Sequence, residues 1–448
     1  MKIELILITD KKSRNRVFGL RPLTLPYLAA LTPPDVEVKI TSTNYEDIDL
    51  ETDADLIGIS VATFKALESY ALAREFRKRG KTVVLGGPHP TIMPKEALNY
   101  ADSVVRGEAE IVWPRLIEDF KKNQLKTLYE NESPPPLMNL PHPRWDLWPE
   151  KNRFNIDMFQ VTRGCPYLCD FCYHSAYPSS FRWRPVEDVV REIGSMESST
   201  IYFADDNLTG NNRYAKTLFS ELSGLKKKWI SNLSIEVATN NELLSLLYKS
   251  GCRLVTIGLE SIDQDNLNSI NKKRIPMNQY KEYVKKFHDH GIMVSGFFMF
   301  GFDHDDHSVF ERTLDFIERI KLDSIRSYVL SPIPKTTIYE RLKKENRLLP
   351  FVWDGNNQNG LPRYDVGDGN YVTFIPKKIT VEQLQEGFYW FQKESFSLSS
   401  ILRRSSHSAL YSNFLISLGV NITFRQNLKK LKSRQGDRNF SMRTNTRN

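Results

Sequence analysis

The sequence predicts an α/β protein built from two regions of parallel sheet. Across its 448 residues, short apolar runs alternate with segments of helical periodicity, as in strands joined by crossover helices. Polar or glycine-rich clusters follow several of these runs, at the sheet edge where α/β proteins bind ligands. We expect a doubly wound, Rossmann-like sheet over residues 1–125, a proline-rich linker over 126–154, a partial β/α barrel over 155–350, a small α+β extension over 351–420 and a basic, disordered tail over 421–448.

The first region has predicted strands at residues 2–8, 36–42, 54–62, 82–85 and 103–105. Small or glycine-rich segments follow three of them. The candidate binding residues in these segments are Ser60, Thr63, Gly86, Gly87, Pro88, His89, Gly107 and Glu108. Glycine lets a backbone approach a ligand closely, so the pattern predicts a nucleotide-like binding domain whose ligand it does not specify.

The second region continues the alternation through about six β/α units. Catalytic residues of β/α barrels lie at the C-terminal ends of the strands. Three polar clusters fall there: a cysteine loop after residue 162, Asp205-Asp206-Asn207, and Glu260-Ser261. Farther along the chain, we expect a strand at residues 371–375 and an amphipathic helix from residue 380.

Three of the four cysteines fall within eight positions, as Cys165, Cys169 and Cys172 in the spacing C-x3-C-x2-C. Thiolates are soft ligands that suit iron and zinc. A structural zinc site usually takes four ligands, and Cys252 lies in a different β/α unit. Three thiolates from one loop favour an iron–sulfur cluster whose open iron can bind a substrate or cofactor; zinc is the alternative.

The net charge of +8 is concentrated at one end of the chain. Residues 421–448 hold eight basic residues against one acid, a charge of +7, so the body is nearly neutral and carries no charge pattern for nucleic acid. The cysteines are too few for a disulfide framework, and no apolar stretch reaches the length of a membrane span. We expect a cytoplasmic protein.

The stretch VTRGCPYLCDFCYHSAYPSSFRWRPVEDVVREI resembles the radical S-adenosylmethionine enzymes. The resemblance implies that Cys165, Cys169 and Cys172 bind a [4Fe-4S] cluster whose open iron chelates S-adenosylmethionine, which one electron cleaves to a 5′-deoxyadenosyl radical. It also implies that S-adenosylmethionine contacts the following residues: Phe171, Asp205, Asp206, Asn207, Glu260, Ser261 and Gly296.

The segments VVLGGPHPTIMPKEAL and VVRGEAE resemble the cobalamin-binding domain that precedes many radical S-adenosylmethionine enzymes. The resemblance implies that the glycine-rich loops line the corrin ring. Many cobalamin domains carry Asp-x-His-x-x-Gly after the first strand, with the histidine bound to cobalt. Here residues 10–15 read Asp-Lys-Lys-Ser-Arg-Asn, so we expect no histidine ligand from that motif.

Together the two resemblances imply a cobalamin-dependent radical enzyme that methylates an unactivated carbon of a small-molecule or lipid-like substrate. The expected electron donor is a protein such as flavodoxin or ferredoxin. Cyclisation or rearrangement is an alternative outcome. A methylthiotransferase would need a second cluster on N-terminal cysteines, but the first cysteine is Cys165. A non-catalytic cobalamin sensor would not need the cysteine loop.

Overall fold

The computed structural model describes residues 1–9, 20–150, 155–177, 180–272, 276–355, 360–405 and 417–426. The loop at residues 10–15 and most of the basic tail, residues 427–448, therefore lie outside the described residues. Among the described helices, none combines the length and the apolar character that a membrane-spanning helix needs.

A six-stranded parallel sheet forms the first region, in the order β2-β1-β3-β4-β5-β6. Its strands are β1 (Lys2–Ile8), β2 (Glu37–Thr43), β3 (Leu56–Ser60), β4 (Thr82–Gly86), β5 (Ser103–Arg106) and β6 (Leu128–Glu130). Leu56 and Ile57, adjacent in β3, pack into separate apolar clusters. Helices cover both faces of such a sheet, which is why its strands are apolar on both sides. The doubly wound prediction is confirmed, and the strand order reverses between β1 and β3.

A second six-stranded parallel sheet has the order β14-β13-β12-β11-β10-β7, and a short antiparallel pair joins β8 to β9. These strands are β7 (Ile156–Phe159), β8 (Thr162–Arg163), β9 (Arg182–Trp183), β10 (Thr200–Phe203), β11 (Lys228–Leu233), β12 (Cys252–Glu260), β13 (Met293–Phe300) and β14 (Ser324–Val329). The six strands of the large sheet follow chain order, and β7 and β14 are its edges. This is the arrangement of a partial β/α barrel.

The helices pack around the two sheets. Those of the first region are α1 (Thr24–Leu31), α2 (Ala66–Lys78), α3 (Pro88–Ile92), α4 (Pro94–Ala97) and α5 (Val112–Lys121). Those of the second are α6 (Tyr173–Ala176), α7 (Val186–Ser195), α8 (Asn212–Leu222), α9 (Asn241–Lys249), α10 (Gln264–Ser269), α11 (Tyr280–Asp289), α12 (Val309–Arg319) and α13 (Thr337–Lys344). The C-terminal part adds α14 (Pro350–Trp353), α15 (Val381–Ser395), α16 (Leu398–Ser405) and a helix at residues 417–426.

The C-terminal part differs from its prediction in one element. Residues 371–375 are not a strand, because only Phe374 pairs, in an isolated bridge with Leu348. The expected amphipathic helix is present as α15. It begins after Thr380, whose side chain forms a capping box with Gln383. The linker contributed an element that we did not predict, because β6 falls within it and extends the first sheet. The domain boundaries themselves stay predictions.

Candidate active site

The three clustered cysteines line a single cavity of about 260 Å³ at the C-terminal ends of β10 to β12, which we call the thiol cavity. All three side chains are half-buried. Gly164, with φ of 78°, turns the chain out of β8 into the loop. The Cys172 N–H donates to the Cys169 carbonyl, 3.0 Å away, which folds the two thiols toward the same space.

The loop is held from two sides by later parts of the chain. The Asp170 N–H donates to the Ile270 carbonyl at 3.2 Å, and the Ile338 N–H donates to the Asp170 carbonyl at 2.9 Å. The Asn271 amide donates to the Leu168 carbonyl at 3.0 Å. All three hydrogen bonds are made to the backbone of the loop. They fix the loop without using the thiols, which remain available as ligands.

Burial raises the pKa of all three thiols, that of Cys172 to about 11. Thiolates in this cavity therefore need a positive charge beside them, and bound iron would supply it. No three described His, Cys, Asp or Glu side chains lie close enough to hold a single metal ion. A soft, three-thiol donor set around an open space fits an iron–sulfur cluster with one free corner.

Four other predicted contacts share this cavity: Phe171, Asp206, Asn207 and Glu260. Asp206 Oδ2 lies 3.1 Å from His174 Nε2. Asn207 accepts from the backbone and hydroxyl of Thr209 at 3.3 and 3.2 Å. The cavity therefore offers carboxylate and amide groups beside the thiols, as the amino group and ribose of S-adenosylmethionine would require.

Three predicted contact residues do not line the thiol cavity. Asp205 is buried behind it and accepts hydrogen bonds from the backbone N–H groups of Val161 and Thr162, so it anchors β8 instead. The Ser261 hydroxyl accepts from the Asp263 N–H at 3.1 Å, at the start of α10. Gly296 faces the outer side of the barrel, where a Cβ would lie 2.7 Å from Leu322.

Lys272 lines the thiol cavity and was not predicted. Its ammonium lies 2.7 Å from Glu260 Oε1. Burial by itself lowers the pKa of Lys272, but the charges of Glu260 and Cys169 outweigh it and hold that pKa above its usual value. Lys272 follows α10 rather than a strand, so the strand-end rule gave no signal for it. A cation here fits the carboxylate of S-adenosylmethionine.

A larger cavity of about 440 Å³ lies at the C-terminal edge of the first sheet, at the point where the strand order reverses. We call it the sheet-edge cavity. Five predicted residues line it: Ser60, Gly86, Gly87, Gly107 and Glu108. Gly87 and Gly107 have φ of 97° and 81°, and a Cβ on Gly87 would lie 2.9 Å from the Val61 backbone nitrogen. The edge is therefore a cradle of bare backbone, as a large planar ligand such as a corrin ring requires.

Three predicted residues of this loop system lie outside the cavity lining: Thr63, Pro88 and His89. Pro88 is the first residue of α3. His89 is fully buried, with Nε2 3.1 Å from Glu96 Oε1 and its ring against Tyr364. The Gly-Gly-Pro turn continues directly into a helix, which carries His89 into the core.

The sheet-edge cavity extends to the barrel, which contributes Met158, Gln160, Arg163 and Ala204 to its wall. The Arg163 guanidinium lies 2.6 Å from Glu108 and also pairs with Glu110. Oε2 of Glu110 is buried and reaches no hydrogen-bond partner among the described residues. This orphaned acceptor fits a ligand rich in amide donors, as cobalamin is.

The two cavities are joined by a short piece of chain. Met158, Gln160 and Arg163 line the sheet-edge cavity, and Cys165 lines the thiol cavity. Tyr173, one residue after the last clustered cysteine, donates from its hydroxyl to the Pro88 carbonyl at 3.1 Å. The cysteine loop therefore touches the loops of the first sheet directly.

Two family models match the chain. That of the radical SAM superfamily matches residues 159–317, and that of the B12 binding domain matches residues 20–117. The bacteriochlorophyllide d C-12(1)-methyltransferase of Chlorobaculum tepidum is 30% identical over 377 residues, which cover 81% of this chain and 80% of that relative.

The hopanoid C-2 methylase of Rhodopseudomonas palustris is 24% identical, over 76% of this chain and 67% of that relative. The anaerobic magnesium-protoporphyrin IX monomethyl ester cyclase of Cereibacter sphaeroides is 26% identical, over 71% of this chain and 60% of that relative.

The solved structure of the radical S-adenosylmethionine methyltransferase TsrM from Kitasatospora setae, with cobalamin and a [4Fe-4S] cluster bound, has the same fold. Its TM-score is 0.68 at 15% identity, over 95% of this chain and 99% of that one. With both family domains present and a relative matched along most of its length, the chain belongs to the cobalamin-dependent radical S-adenosylmethionine enzymes, whose cofactors are a [4Fe-4S] cluster, S-adenosylmethionine and cobalamin.

Proposed function

We propose that this enzyme transfers a methyl group to an unactivated carbon of a small-molecule or lipid-like substrate. The observation that carries the proposal is the junction of the two cavities: one run of chain lines the sheet-edge cavity and enters the thiol cavity within a few residues. A substrate between them would meet both cofactors. The methyltransferase relatives support methylation over other radical outcomes.

In the thiol cavity, Cys165, Cys169 and Cys172 would hold the cluster. Asp206, Asn207, Glu260 and Lys272 would orient S-adenosylmethionine, with the acids toward its amino group and ribose and Lys272 toward its carboxylate. In the sheet-edge cavity, the glycine cradle would seat the corrin ring and Glu110 would accept from its amides. When bound, the cluster supplies the electron that cleaves S-adenosylmethionine, and cobalamin carries the methyl group.

The test is an anaerobic assay of the full chain, reconstituted with iron, sulfide and hydroxocobalamin. S-adenosylmethionine and titanium(III) citrate are added, and 5′-deoxyadenosine and S-adenosylhomocysteine are quantified by mass spectrometry. We expect both products. Formation of 5′-deoxyadenosine without S-adenosylhomocysteine would contradict methyl transfer and support cyclisation or rearrangement.

Two cysteine variants test the assignment of the cluster ligands. Cys169→Ala should lose most of its iron and all 5′-deoxyadenosine formation. Cys252→Ala is the matched control, because Cys252 is buried in the barrel core and should keep its iron. If Cys169→Ala retained the iron content of the control, the assignment would be wrong.

The first substrates to test are a bacteriochlorophyllide and a hopanoid, which the names of two relatives suggest. A product heavier by one methylene is the expected result. We also propose that the enzyme works in the cytosol and takes its electron from flavodoxin or ferredoxin. Either protein, with its reductase, should replace titanium(III) citrate in the assay.

A further inference from the structure

One face of the barrel sheet can be followed from one cavity to the other through residues paired on neighbouring strands, past two register shifts in β12. Residues paired in register on parallel strands project to the same side of a sheet. Met158, which lines the sheet-edge cavity, pairs with Tyr202 on β10. Phe297, which lines the thiol cavity, pairs with Arg326 on β14. We call this side of the sheet the inner face.

The inner face carries a cation, Arg326, on β14. Its guanidinium carbon lies 5.6 Å from the centre of the Phe297 ring and 5.5 Å from that of Phe424, on the helix at residues 417–426. The side chain is only partly exposed. In the part of the chain that the structure describes, it has no carboxylate within ion-pair distance and no hydrogen bond. By contrast, Arg163 at the neighbouring cavity pairs with two carboxylates.

Polar and aromatic groups surround this cation across the inner face. Burial raises the pKa of Tyr202, while the charge of Arg326 and the nearby amide of Asn232 partly oppose the rise. The positive charge on β14 therefore acts on the phenol of Tyr202 on β10. The ring of Tyr328 lies 6.2 Å from that of Phe297. Aromatic rings and a cation that has no anion among the described residues thus lie on the same face of the sheet.

Partial burial of a guanidinium without an anion costs free energy, because the group loses hydrogen bonds to water. A bound oxyanion would replace those hydrogen bonds. Carboxylates and phosphates match the planar fork of arginine with two parallel hydrogen bonds. Aromatic rings next to the fork provide contact area for a flat or apolar body. The combination suits an amphiphile with one anionic end.

We propose that Arg326 binds an oxyanion of the substrate, a carboxylate or a phosphate, while the apolar body of the substrate lies along the inner face against Phe297 and Tyr328. This inference rests on the proposed function in one respect: it takes the bound oxyanion to be part of the substrate of that reaction. It defines the substrate class: an anionic molecule with a large apolar or aromatic body.

The test uses three fluorescent probes that share one apolar body: 1-pyrenebutyrate, 1-pyrenebutyl phosphate and the neutral 1-pyrenebutanol. Their dissociation constants are measured by fluorescence anisotropy on the full chain loaded with cluster, cobalamin and S-adenosylmethionine. We expect at least one anionic probe to bind about tenfold to a hundredfold more tightly than the alcohol, as charge-assisted hydrogen bonds allow. The tighter of the two anions identifies the oxyanion.

Arg326→Gln should abolish this preference, and Arg326→Lys should keep part of it because the charge remains. Arg253→Gln is the matched control: Arg253 lies near the N-terminal end of β12, lines neither cavity and stacks on the ring of Tyr248 at 4.3 Å, so its loss should leave the preference unchanged. Iron and cobalamin contents confirm that each variant is folded.

Equal affinities for all three probes in the unmodified protein would overturn the proposal, as would a preference that survives Arg326→Gln. Probe binding does not depend on turnover, so its outcome is separate from that of the methyl-transfer assay. An Arg326-dependent preference without S-adenosylhomocysteine formation would refute methylation and leave the anion site standing.

Discussion

Arg163 joins the two halves of the molecule, and its replacement by methionine is a direct test of that role. Its side chain is 15% exposed and its partner Glu110 is 10% exposed. The methylene stem of methionine fills part of the arginine's volume but carries no charge. Arg163→Met therefore leaves Glu110 buried and unpaired, whereas Glu108 keeps Arg182 as a second partner.

The expected cost follows from that burial. Removing one partner of a buried ion pair destabilises a protein by about 3 to 5 kcal/mol. Because both side chains retain some exposure, we take the lower end, about 3 kcal/mol. At about 2 °C per kcal/mol, the value for larger domains, the melting temperature of the cobalamin-free protein should fall by about 6 °C.

The assay is a double-mutant cycle followed by circular dichroism at fixed pH. Glu110→Gln in the Arg163→Met background should recover most of the lost melting temperature, because it removes the uncompensated charge. Lys216→Met is the matched control, since the pair of Lys216 with Glu242 is exposed and should contribute less than about 1 kcal/mol. A loss no larger than that control, or no recovery in the double variant, would refute the reasoning.

Three further changes test the cradle, a buried acid and a helix cap. Gly107→Ala places a Cβ 2.6 Å from Tyr177 Oη and should weaken cobalamin binding about tenfold in a titration, whereas Gly80→Ala, also at positive φ but with no atom within 4 Å, should not. Burial raises the pKa of Asp205 from 3.8 to about 7, so the folded state keeps a proton that the unfolded state releases, and stability is lost as pH rises through that window. The melting temperature should therefore fall relative to that of Asp205→Asn between about pH 4 and pH 7; a constant difference would contradict this. Thr380→Ala removes the cap of α15 and should cost about 1 kcal/mol in thermal unfolding; no loss would argue against the capping box.

Local sequence patterns predicted a large part of the fold. Hydrophobic runs of the right length predicted most strands, because a parallel strand covered on both sides must be apolar throughout. The cysteine spacing pointed to the cluster loop, because three ligands on one loop are adjacent whatever the rest of the chain does. The glycines at residues 86, 87 and 107 were identifiable for the same local reason.

The direction of individual side chains at the strand ends was not predictable in this way. Local patterns do not show which of them face a cavity. Asp205 and Asp206 are neighbours, yet the structure turns the first behind the loop and the second into the thiol cavity. Gly296 and Phe297 are also neighbours that face opposite ways: Gly296 faces Leu322, and Phe297 lines the thiol cavity. Alternation along a strand means that an error of one residue exchanges the two faces, and short apolar runs do not fix that register.

The two parallel sheets, the three-thiol loop and the glycine-rich edge were predictable from local sequence patterns, since each depends on neighbours in the chain. Three arrangements became visible only in the folded chain: Arg163 pairs with Glu108 and Glu110, Lys272 pairs with Glu260, and Arg326 lies on the same face as Phe297. Those contacts join residues far apart in sequence. Strand order and packing bring these residues together, and a local sequence pattern contains no information about either.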